Sequence, residues 1–196
     1  MEFDFLQHKI VAHSDDRDAW LTARNTGITA SNAGALATEN SIDSILKSKF
    51  YTDFVGNPAT EWGIEREPIL LEWAKFNQNK YLFKSDENPR FMATPDGIKM
   101  SEGDDYIELC QVKTSSKPLT KIPPNYYRQM QWEMYVMGAK TNLLVWEQHE
   151  NFVPVGLEPV TLLIERDETT INKLKRLADA LLRRLDEANA FEKEMA

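Results

Sequence analysis

The first third of the chain carries the apolar spacing and the end signals of helices. Acidic residues come directly after Ser14, which is typical of a helix capped at its start by that serine. Two short helices are expected over residues 31–37 and 41–51. A further helix is predicted to be capped by Thr60 and to be kinked or divided at Pro68, because proline lacks the backbone N–H that a helix interior needs.

The middle of the chain changes to short runs of β-branched and aromatic residues separated by turn residues, which favours strands. The expected strands cover residues 81–85, 90–94, 106–114 and 142–148, and a further β segment covers about 152–164. A helix is expected over residues 125–137. The chain closes on a long amphipathic helix with an apolar stripe of Leu174, Leu177, Leu181 and Leu185. The pattern predicts an α/β fold with a central mixed β-sheet flanked by helices.

Length and composition fit one domain spanning residues 1–196. With 196 residues, of which 42% are hydrophobic, the chain can bury a substantial core without disulfides. No apolar run approaches the roughly 20 residues that a membrane helix needs, and the first ten residues lack the basic and apolar regions of a signal peptide. The single Cys110 cannot form an internal disulfide. We therefore expect a cytoplasmic protein with no membrane partner.

The charge of the chain is acidic on average and basic in one window. The formal net charge of −8 argues against a nonspecific polyanion binder. Between Cys110 and Trp132, however, there is no Asp or Glu, and the window contains Lys113, Lys117, Lys121 and Arg128. Either these charges form one basic surface on an acidic body, or they are ordinary solvated charges.

Candidate chemistry is concentrated in two segments of the predicted sheet. Asp96 lies in a Pro-Asp-Gly turn at a strand end, and Gln111 and Lys113 share one face of a later strand because side chains alternate with period two. A carboxylate next to a strand that carries a polar residue and, two residues later, a lysine can hold a hard cation and place the lysine against a phosphodiester. The alternative is that Asp96 is an ordinary turn residue and that Lys113 is an ordinary surface charge. The three histidines show no zinc-ligand spacing.

Five segments in order carry a family resemblance that covers nearly the whole chain. They are WLTARNTGITAS (20–31), WGIERE (62–67), TPDG (94–97), YYRQMQ (126–131) and IERDE (164–168). Together they resemble the lambda exonuclease and YqaJ-type viral recombinase family, within the PD-(D/E)xK nuclease superfamily. The resemblance implies a restriction-endonuclease-like core.

The resemblance also implies site residues. The catalytic set would be Asp96, Gln111, Lys113 and Glu67, and the metal ligands would be Asp96, Gln111 and the carbonyl of Val112. The implied cofactor is Mg²⁺, with Mn²⁺ as a substitute. The 5′-phosphate and the DNA would be bound by Arg24, Ser31, Thr94, Tyr126, Gln129 and Gln131.

The strand departs from the family pattern at one position. The family strand usually has Glu-x-Lys, and alignment on Lys113 places Gln111 where the acid belongs. Glu108 is the obvious substitute, but an odd-even count places it on the opposite face of the strand unless a bulge intervenes. Asp86, ten residues before Asp96, is a further candidate acid.

By resemblance, the function is that of an exodeoxyribonuclease that degrades one strand of linear duplex DNA from its 5′ end. The product would be a 3′ single-stranded overhang for recombination by strand annealing, in a bacterial or phage-infected cell. The family implies a ring-shaped homotrimer around DNA and a partner annealing protein. Two alternatives remain: a structure-specific or restriction-type endonuclease on the same fold, and a metal-poor relative that binds DNA ends without cutting them.

Overall fold

The computed structural model describes residues 4–51, 56–103 and 106–195. The helices in these residues are α1 (Arg17–Thr26), α2 (Ala30–Ala35), α3 (Ile42–Tyr51), α4 (Pro58–Trp73), α5 (Pro124–Met137) and α6 (Glu168–Met195). The strands are β1 (Ile10–His13), β2 (Asn77–Gln78), β3 (Tyr81–Lys84), β4 (Met92–Ala93), β5 (Gly97–Met100), β6 (Ile107–Ser115), β7 (Thr141–Glu150), β8 (Val153–Pro154) and β9 (Val160–Glu165). Short 3-10 helices cover Asp4–Lys9 and Glu39–Ser41.

The strands form two sheets. The larger sheet has the order β2-β5-β6-β7, and β8 and β9 both pair with β7. In it β6 and β7 are parallel, whereas the other pairs are antiparallel. The smaller sheet is antiparallel, in the order β1-β3-β4. The expected mixed sheet flanked by helices is confirmed.

Both faces of the central strand β6 are covered. On one face Leu109 joins the main core, to which α5 contributes Trp132 and α6 its four regularly spaced leucines. On the other face Cys110 and Val112 pack against Leu70 and Leu71 of α4. The alternation follows from the period-two pattern of a strand, and it places residues 111 and 113 on the α5 side of the sheet.

Two predicted helix starts are wrong. The cap of α1 is Asp16 and not Ser14, since the Asp16 Oδ1 accepts a hydrogen bond from Ala19 N at 3.1 Å. The cap of α4 is Asn57, whose Oδ1 accepts from the backbone N–H of Thr60 at 3.0 Å. Pro68 lies inside α4, which continues from Pro58 to Trp73, so of the two expected outcomes, a kink or a new helix, the second is excluded.

The predicted strands are confirmed at β3, β4, β6 and β7, although β4 is only two residues long. The segment expected over 152–164 is two strands, β8 and β9, and the short strands β1, β2 and β5 were not predicted. They are two to four residues long, too short to show a clear alternation. Within the residues described, no helix combines the length and the apolar composition needed to cross a bilayer.

Candidate active site

The Pro-Asp-Gly turn is fixed by a close approach of the backbone at Gly97, the first residue of β5. A Cβ at this position would lie 2.6 Å from a methyl carbon of Leu71 and 2.9 Å from the Cβ of Phe76, so a side chain does not fit without rearrangement. The carbonyl of Asp96 accepts a hydrogen bond from Asn79 N at 2.9 Å. The turn is therefore packed against α4 and tied to the chain after β2, which holds Asp96 at the edge of the sheet.

The carboxylate of Asp96 is bound through one oxygen. Its Oδ2 accepts from the backbone N–H of Val112 at 2.7 Å and from the amide nitrogen of Gln111. Within the described segments, no hydrogen-bond donor reaches Oδ1. Burial raises the pKa of Asp96 to about 7, and the negative charge of Glu67 adds to this, whereas Lys113 and the Val112 N–H oppose it.

Lys113 and Glu67 approach Asp96 from two elements. Lys113, two residues after Gln111 on the same face of β6, places its Nζ 5.2 Å from the ring centre of Tyr126. Glu67 extends from α4, and its Oε1 accepts a hydrogen bond from Gln78 Nε2 at 3.1 Å. Both charges act on the pKa of Asp96, which shows that they share its electrostatic environment. The structure thus brings together all the residues of the expected catalytic set.

The amide of Gln111 begins a buried chain of polar side chains. Its Oε1 accepts from Gln129 Nε2 at 2.9 Å, and the same nitrogen donates to Glu133 Oε1 at 3.0 Å. The other oxygen of Glu133 accepts from Asn142 Nδ2 at 2.9 Å. We call Asp96, Gln111, Gln129, Glu133 and Asn142 the polar relay. Burial and the charge of Asp96 raise the pKa of Glu133 to about 8.

Sequence reasoning missed Glu133. It is fully buried within α5, among apolar neighbours such as Trp132 and Met134. The available signal was an acid four residues after Gln129, which places both side chains on one face of the helix. An acid flanked by core residues is unusual unless it has a specific partner, because burying an uncompensated charge is costly.

The position of Glu108 confirms the odd-even count. Its carboxylate pairs with Lys99 Nζ at 2.9 Å, and that lysine lies over the ring of Phe76 on the α4 side of the sheet. The register of β6 with β5 and β7 is continuous, without a bulge. Glu108 therefore lies on the opposite face from Gln111 and does not replace the missing acid.

The oxygens around Asp96 suit a hard cation, although only one carboxylate is directly available. Oδ1 of Asp96 is open to a further partner, and the N–H of Val112 points to Asp96. Since the N–H and C=O of one strand residue point to the same edge, the Val112 carbonyl faces this side as well. The Gln111 amide turns its nitrogen to Asp96, so its oxygen becomes available only if the amide turns over. In the described parts of the chain, no three His, Cys, Asp or Glu residues form a metal-binding group.

The expected phosphate-binding residues belong to three different segments of the fold. Arg24 of α1 places its guanidinium 6.0 Å from the ring centre of Trp20, and burial lowers its pKa. Ser31 is exposed, and its Oγ lies 3.0 Å from the Oγ1 of Thr29, the cap of α2. Thr94 Oγ1 is buried and has no hydrogen-bond partner in the structure. No hydrogen bond or ion pair among the described residues joins these three side chains to one another.

The three expected DNA-contacting residues of α5 have different environments. Tyr126 lies beside Lys113 at the site, and Gln129 belongs to the polar relay. Gln131 is fully buried: its Nε2 donates to the carbonyl of Glu165 at 2.8 Å and its Oε1 accepts from Asp167 N at 2.7 Å. Gln131 therefore ties β9 and the start of α6 to α5, and this position offers no surface for DNA.

Asp86 lies away from the polar relay and is bound by residues of the N-terminal segment. It follows β3, and its carboxylate pairs with Lys9 Nζ at 2.5 Å and with His8 Nε2 at 3.2 Å. These contacts lower its pKa, led by the hydrogen bond from Lys9. Asp86 thus fixes the N-terminal segment to the small sheet, and within the part of the chain that the structure describes it makes no hydrogen bond to the polar relay.

Part of the acid-free window forms a basic surface. Lys121 and Arg128 line one open groove together with Lys173 of α6. Arg128 also donates from Nε to the carbonyl of Gly34 at 2.9 Å, which fixes its position against α2. Lys117 is exposed beyond the end of β6. Two of the four charges of the window, Lys121 and Arg128, thus share one groove with Lys173.

Comparisons with known proteins agree with the motifs. Residues 19–140 match the model of the YqaJ-like viral recombinase domain. No curated protein sequence matches the chain. An alkaline exonuclease from Laribacter hongkongensis, LHK-Exo, is similar with a TM-score of 0.69 and 22% identity, covering 91% of this chain and 97% of that one. It has also been solved in complex with dAMP.

A phage-related exonuclease from Haemophilus somnus 129PT is similar as well. Its TM-score is 0.60 at 17% identity, and the match covers 96% of this chain and 93% of that one. At such identities a structural likeness establishes the fold and not the activity. The expected nuclease-type α/β core is confirmed by these neighbours.

Proposed function

Because the chain belongs to the YqaJ-like viral recombinase family, we propose that it is a Mg²⁺-dependent exodeoxyribonuclease that digests one strand of linear duplex DNA from the 5′ end. The product is a 3′ overhang for recombination by strand annealing. The observation that carries the proposal is the position of Asp96, whose Oδ2 is fixed by Val112 N at 2.7 Å while Oδ1 remains available beside Lys113. Exonuclease structural neighbours and the dAMP complex of one of them support the reaction class.

Asp96 Oδ1 and the carbonyl of Val112 would hold the divalent ion, and Gln111 would support them by fixing Asp96 Oδ2 through its amide nitrogen, because turning the amide over would break its hydrogen bonds to both Asp96 and Gln129. Carboxylate and carbonyl oxygens are the ligands that Mg²⁺ prefers, and Mn²⁺ accepts the same set. When bound, the ion neutralises charge that develops on the phosphate and lowers the pKa of a bound water. The raised pKa of Asp96 fits a carboxylate that lacks a cation partner.

Lys113 and Glu67 act on the attacking water and the scissile phosphate. The ammonium of Lys113, held near the face of Tyr126, stabilises the negative charge of the phosphate and orients the water. Glu67 Oε1 is already bound by Gln78, which leaves Oε2 to accept a proton from the water. Tyr126 thereby limits where the lysine can point, and Gln129 fixes Gln111.

The terminal 5′-phosphate is bound by Arg24, Ser31 and Thr94. A guanidinium and hydroxyl groups are suitable donors to a phosphate, and the pKa of the buried Arg24 is lowered, so a nearby anion would be favourable. Among the described residues Thr94 Oγ1 is buried without a partner, two residues before Asp96, so it would donate to the phosphate only after a local rearrangement exposes it. The groove of Lys121, Arg128 and Lys173 suits the backbone of the duplex.

A homotrimeric ring is proposed as the working form. Ile69 and Trp73 of α4 line one cleft together with Val155 and Leu157 of the β8–β9 connection, and all four side chains are exposed. Contiguous exposed apolar surface is typical of protein interfaces. A closed ring would bury this surface, turn the basic faces toward the DNA, and leave the acidic surfaces outside. A single-strand annealing protein is the proposed partner for the product.

The proposal is tested by incubating linear and covalently closed circular duplex DNA with the protein, with and without Mg²⁺. Release of mononucleotides from the linear DNA alone, and only with the cation, supports an exonuclease. Cleavage of the circle would instead indicate an endonuclease on the same fold. Binding to ends without any cleavage would indicate a DNA-end-binding relative, for which the amide at position 111 is the favouring observation.

A further inference from the structure

A buried acid without a cation partner faces the site from α5. Glu133 is fully buried, and its two oxygens accept hydrogen bonds from the amides of Gln129 and Asn142. No ion pair to Glu133 is present in the described ranges. An ionised carboxylate held only by neutral amides is costly to bury. The ionised form of Glu133 would therefore gain from a cation held close to it.

The second observation is that Glu133 is connected to the site. The negative charge of Asp96 raises the pKa of Glu133, and the positive charge of Lys113 lowers it. The two acids are connected by the amides of Gln111 and Gln129. Glu133 is therefore linked to the site by charge and also by a continuous series of hydrogen bonds.

The direction of these hydrogen bonds depends on Glu133. An ionised carboxylate only accepts hydrogen bonds, so Gln129 must turn its amide nitrogen toward Glu133. The second hydrogen of that nitrogen is then donated to Gln111 Oε1, and Gln111 in turn donates to Asp96 Oδ2. The result is that Oδ2 is fixed and Oδ1 is left for another partner.

We propose that Glu133 loses its proton when the cation binds and so supplies the second negative charge of the site, in place of the acid missing at position 111, and that it positions Asp96 through Gln129 and Gln111. The inference rests on the proposed divalent-cation site at Asp96. A negative charge in a region of low dielectric strengthens cation binding even without direct contact. Glu133 is thus a positioning residue and a source of charge, and not a ligand.

A purely structural role is the alternative, in which Glu133 only connects α5 to Asn142 of β7. Glu133→Gln separates the two roles, because it removes the charge and keeps the size. Among the described residues Asn142 Oδ1 is buried without a partner, and it can accept a hydrogen bond from the new amide once the Asn142 amide turns over. Glu133→Asp is the complementary variant, since it keeps the charge and shortens the side chain.

The experiment is a calorimetric titration of the protein with Mn²⁺ and with Mg²⁺, without DNA, after circular dichroism has shown that each variant is folded. We expect Glu133→Gln to weaken cation binding by about tenfold or more, and Glu133→Asp to stay within about threefold of wild type. The double variant Gln111→Glu/Glu133→Gln returns the charge to the site and recovers binding. The control is Glu108→Gln, which removes one charge from the opposite face of β6 and leaves cation affinity unchanged.

If Glu133 has only a structural role, Glu133→Asp should bind the cation more weakly than Glu133→Gln does. That order of affinities overturns the inference. Equal cation affinity of wild type and Glu133→Gln overturns it as well, while the proposed cation site stands. If the wild type binds neither cation, both the site and this inference fail. If Glu133→Gln does not fold, two other variants decide. A loss of cation affinity in Glu133→Asp relative to wild type overturns the inference. So does a Gln111→Glu variant that shows no gain in cation affinity.

Discussion

Gln111 donates its amide nitrogen to Asp96 Oδ2, the oxygen that also accepts from the backbone of Val112. The residue that stands where related nucleases have an acid is thus a donor to the neighbouring carboxylate. A second acid at this position would repel Asp96 in the absence of a cation. The amide therefore stabilises the metal-free site and reduces the negative charge available to a metal.

The first prediction concerns Asp96→Asn. The substitution keeps the size of the side chain, and Asn Oδ1 can still accept from Val112 N, so the fold and DNA binding should persist. Hydrolysis should fall by about a thousandfold or more because the proposed ligand charge is lost. Initial rates on linear DNA, with circular dichroism as the folding check, measure this. A folded variant with wild-type turnover would remove Asp96 from the site.

The second prediction is that Gln111→Glu tightens Mg²⁺ binding and raises activity at limiting Mg²⁺, because it restores a charged oxygen ligand. Without a cation, the same variant should have a lower melting temperature than wild type, since the new carboxylate lies beside Asp96. Gln148→Glu on β7 is the matched control and should change neither property. Superimposable Mg²⁺ dependence of Gln111→Glu and wild type would show that position 111 does not contact the ion.

The third prediction addresses end recognition. Arg24→Ala should slow digestion of 5′-phosphorylated DNA and reduce its advantage over 5′-hydroxyl DNA, because a charge-assisted contact worth about 1.5–3 kcal/mol is lost. Arg17→Ala, at the exposed start of the same helix, should leave that ratio unchanged. An identical ratio for Arg24→Ala and wild type would assign Arg24 a structural role only.

The fourth prediction is a loss of stability with rising pH in the metal-free protein. Burial raises the pKa of Asp96 to about 7 and that of Glu133 to about 8, whereas both acids ionise near pH 4 in an unfolded chain. The folded state therefore binds more protons than the unfolded state between about pH 4 and 8, so the free energy of unfolding falls as the pH rises. Mg²⁺ should restore the melting temperature at pH 8.

Melting curves from pH 5 to pH 8.5, with and without Mg²⁺, measure this effect. Glu133→Gln should flatten the pH dependence because it removes one of the two buried acids. Glu108→Gln, on the other face of β6, should keep it. A wild-type melting temperature that rises steadily to pH 8.5 without a cation would contradict the assigned directions of both pKa shifts.

Much of the fold, and the contact between the Pro-Asp-Gly turn and β6, could be predicted because their signals are local. The position of Asp96 could be predicted from a turn sequence. The shared face of Gln111 and Lys113 could be predicted from the alternation of side chains along one strand. Gln131 was assigned wrongly to the DNA side although it is two residues from Gln129, a rotation of about 200° around a helix. The helical phase alone places the two on opposite sides of α5, and Gln131 is buried against β9.

Other features depend on contacts between distant segments. Glu133 and Asp96 are far apart in sequence and are connected, through Gln129 and Gln111, only because α5 packs against β6. The helices α1 and α4 are capped by Asp16 and Asn57, although Ser14 and Thr60 nearby are also good capping residues. Local preference does not decide between such neighbours. The short strand β5 is fixed by its pairing with β6, and its own four residues carry little pattern.

The fifth prediction concerns assembly. The purified protein should have about three times the mass of the 22.6 kDa chain by light scattering. Leu157→Asp, which places a charge on the exposed apolar cleft, should reduce that mass, whereas Phe191→Asp at the exposed end of α6 should not. A species near 22.6 kDa that digests DNA processively would contradict the ring.

The most direct test of the central claim uses a linear duplex with a 5′-phosphate and a label at either the 5′ or the 3′ end of one strand. With Mg²⁺, the 5′ label should be released early as a mononucleotide, and the 3′ label should stay on long single strands until late in the reaction. Asp96→Asn should release neither. Early release of the 3′ label, or internal fragments from a closed circle, would contradict a 5′-end exonuclease.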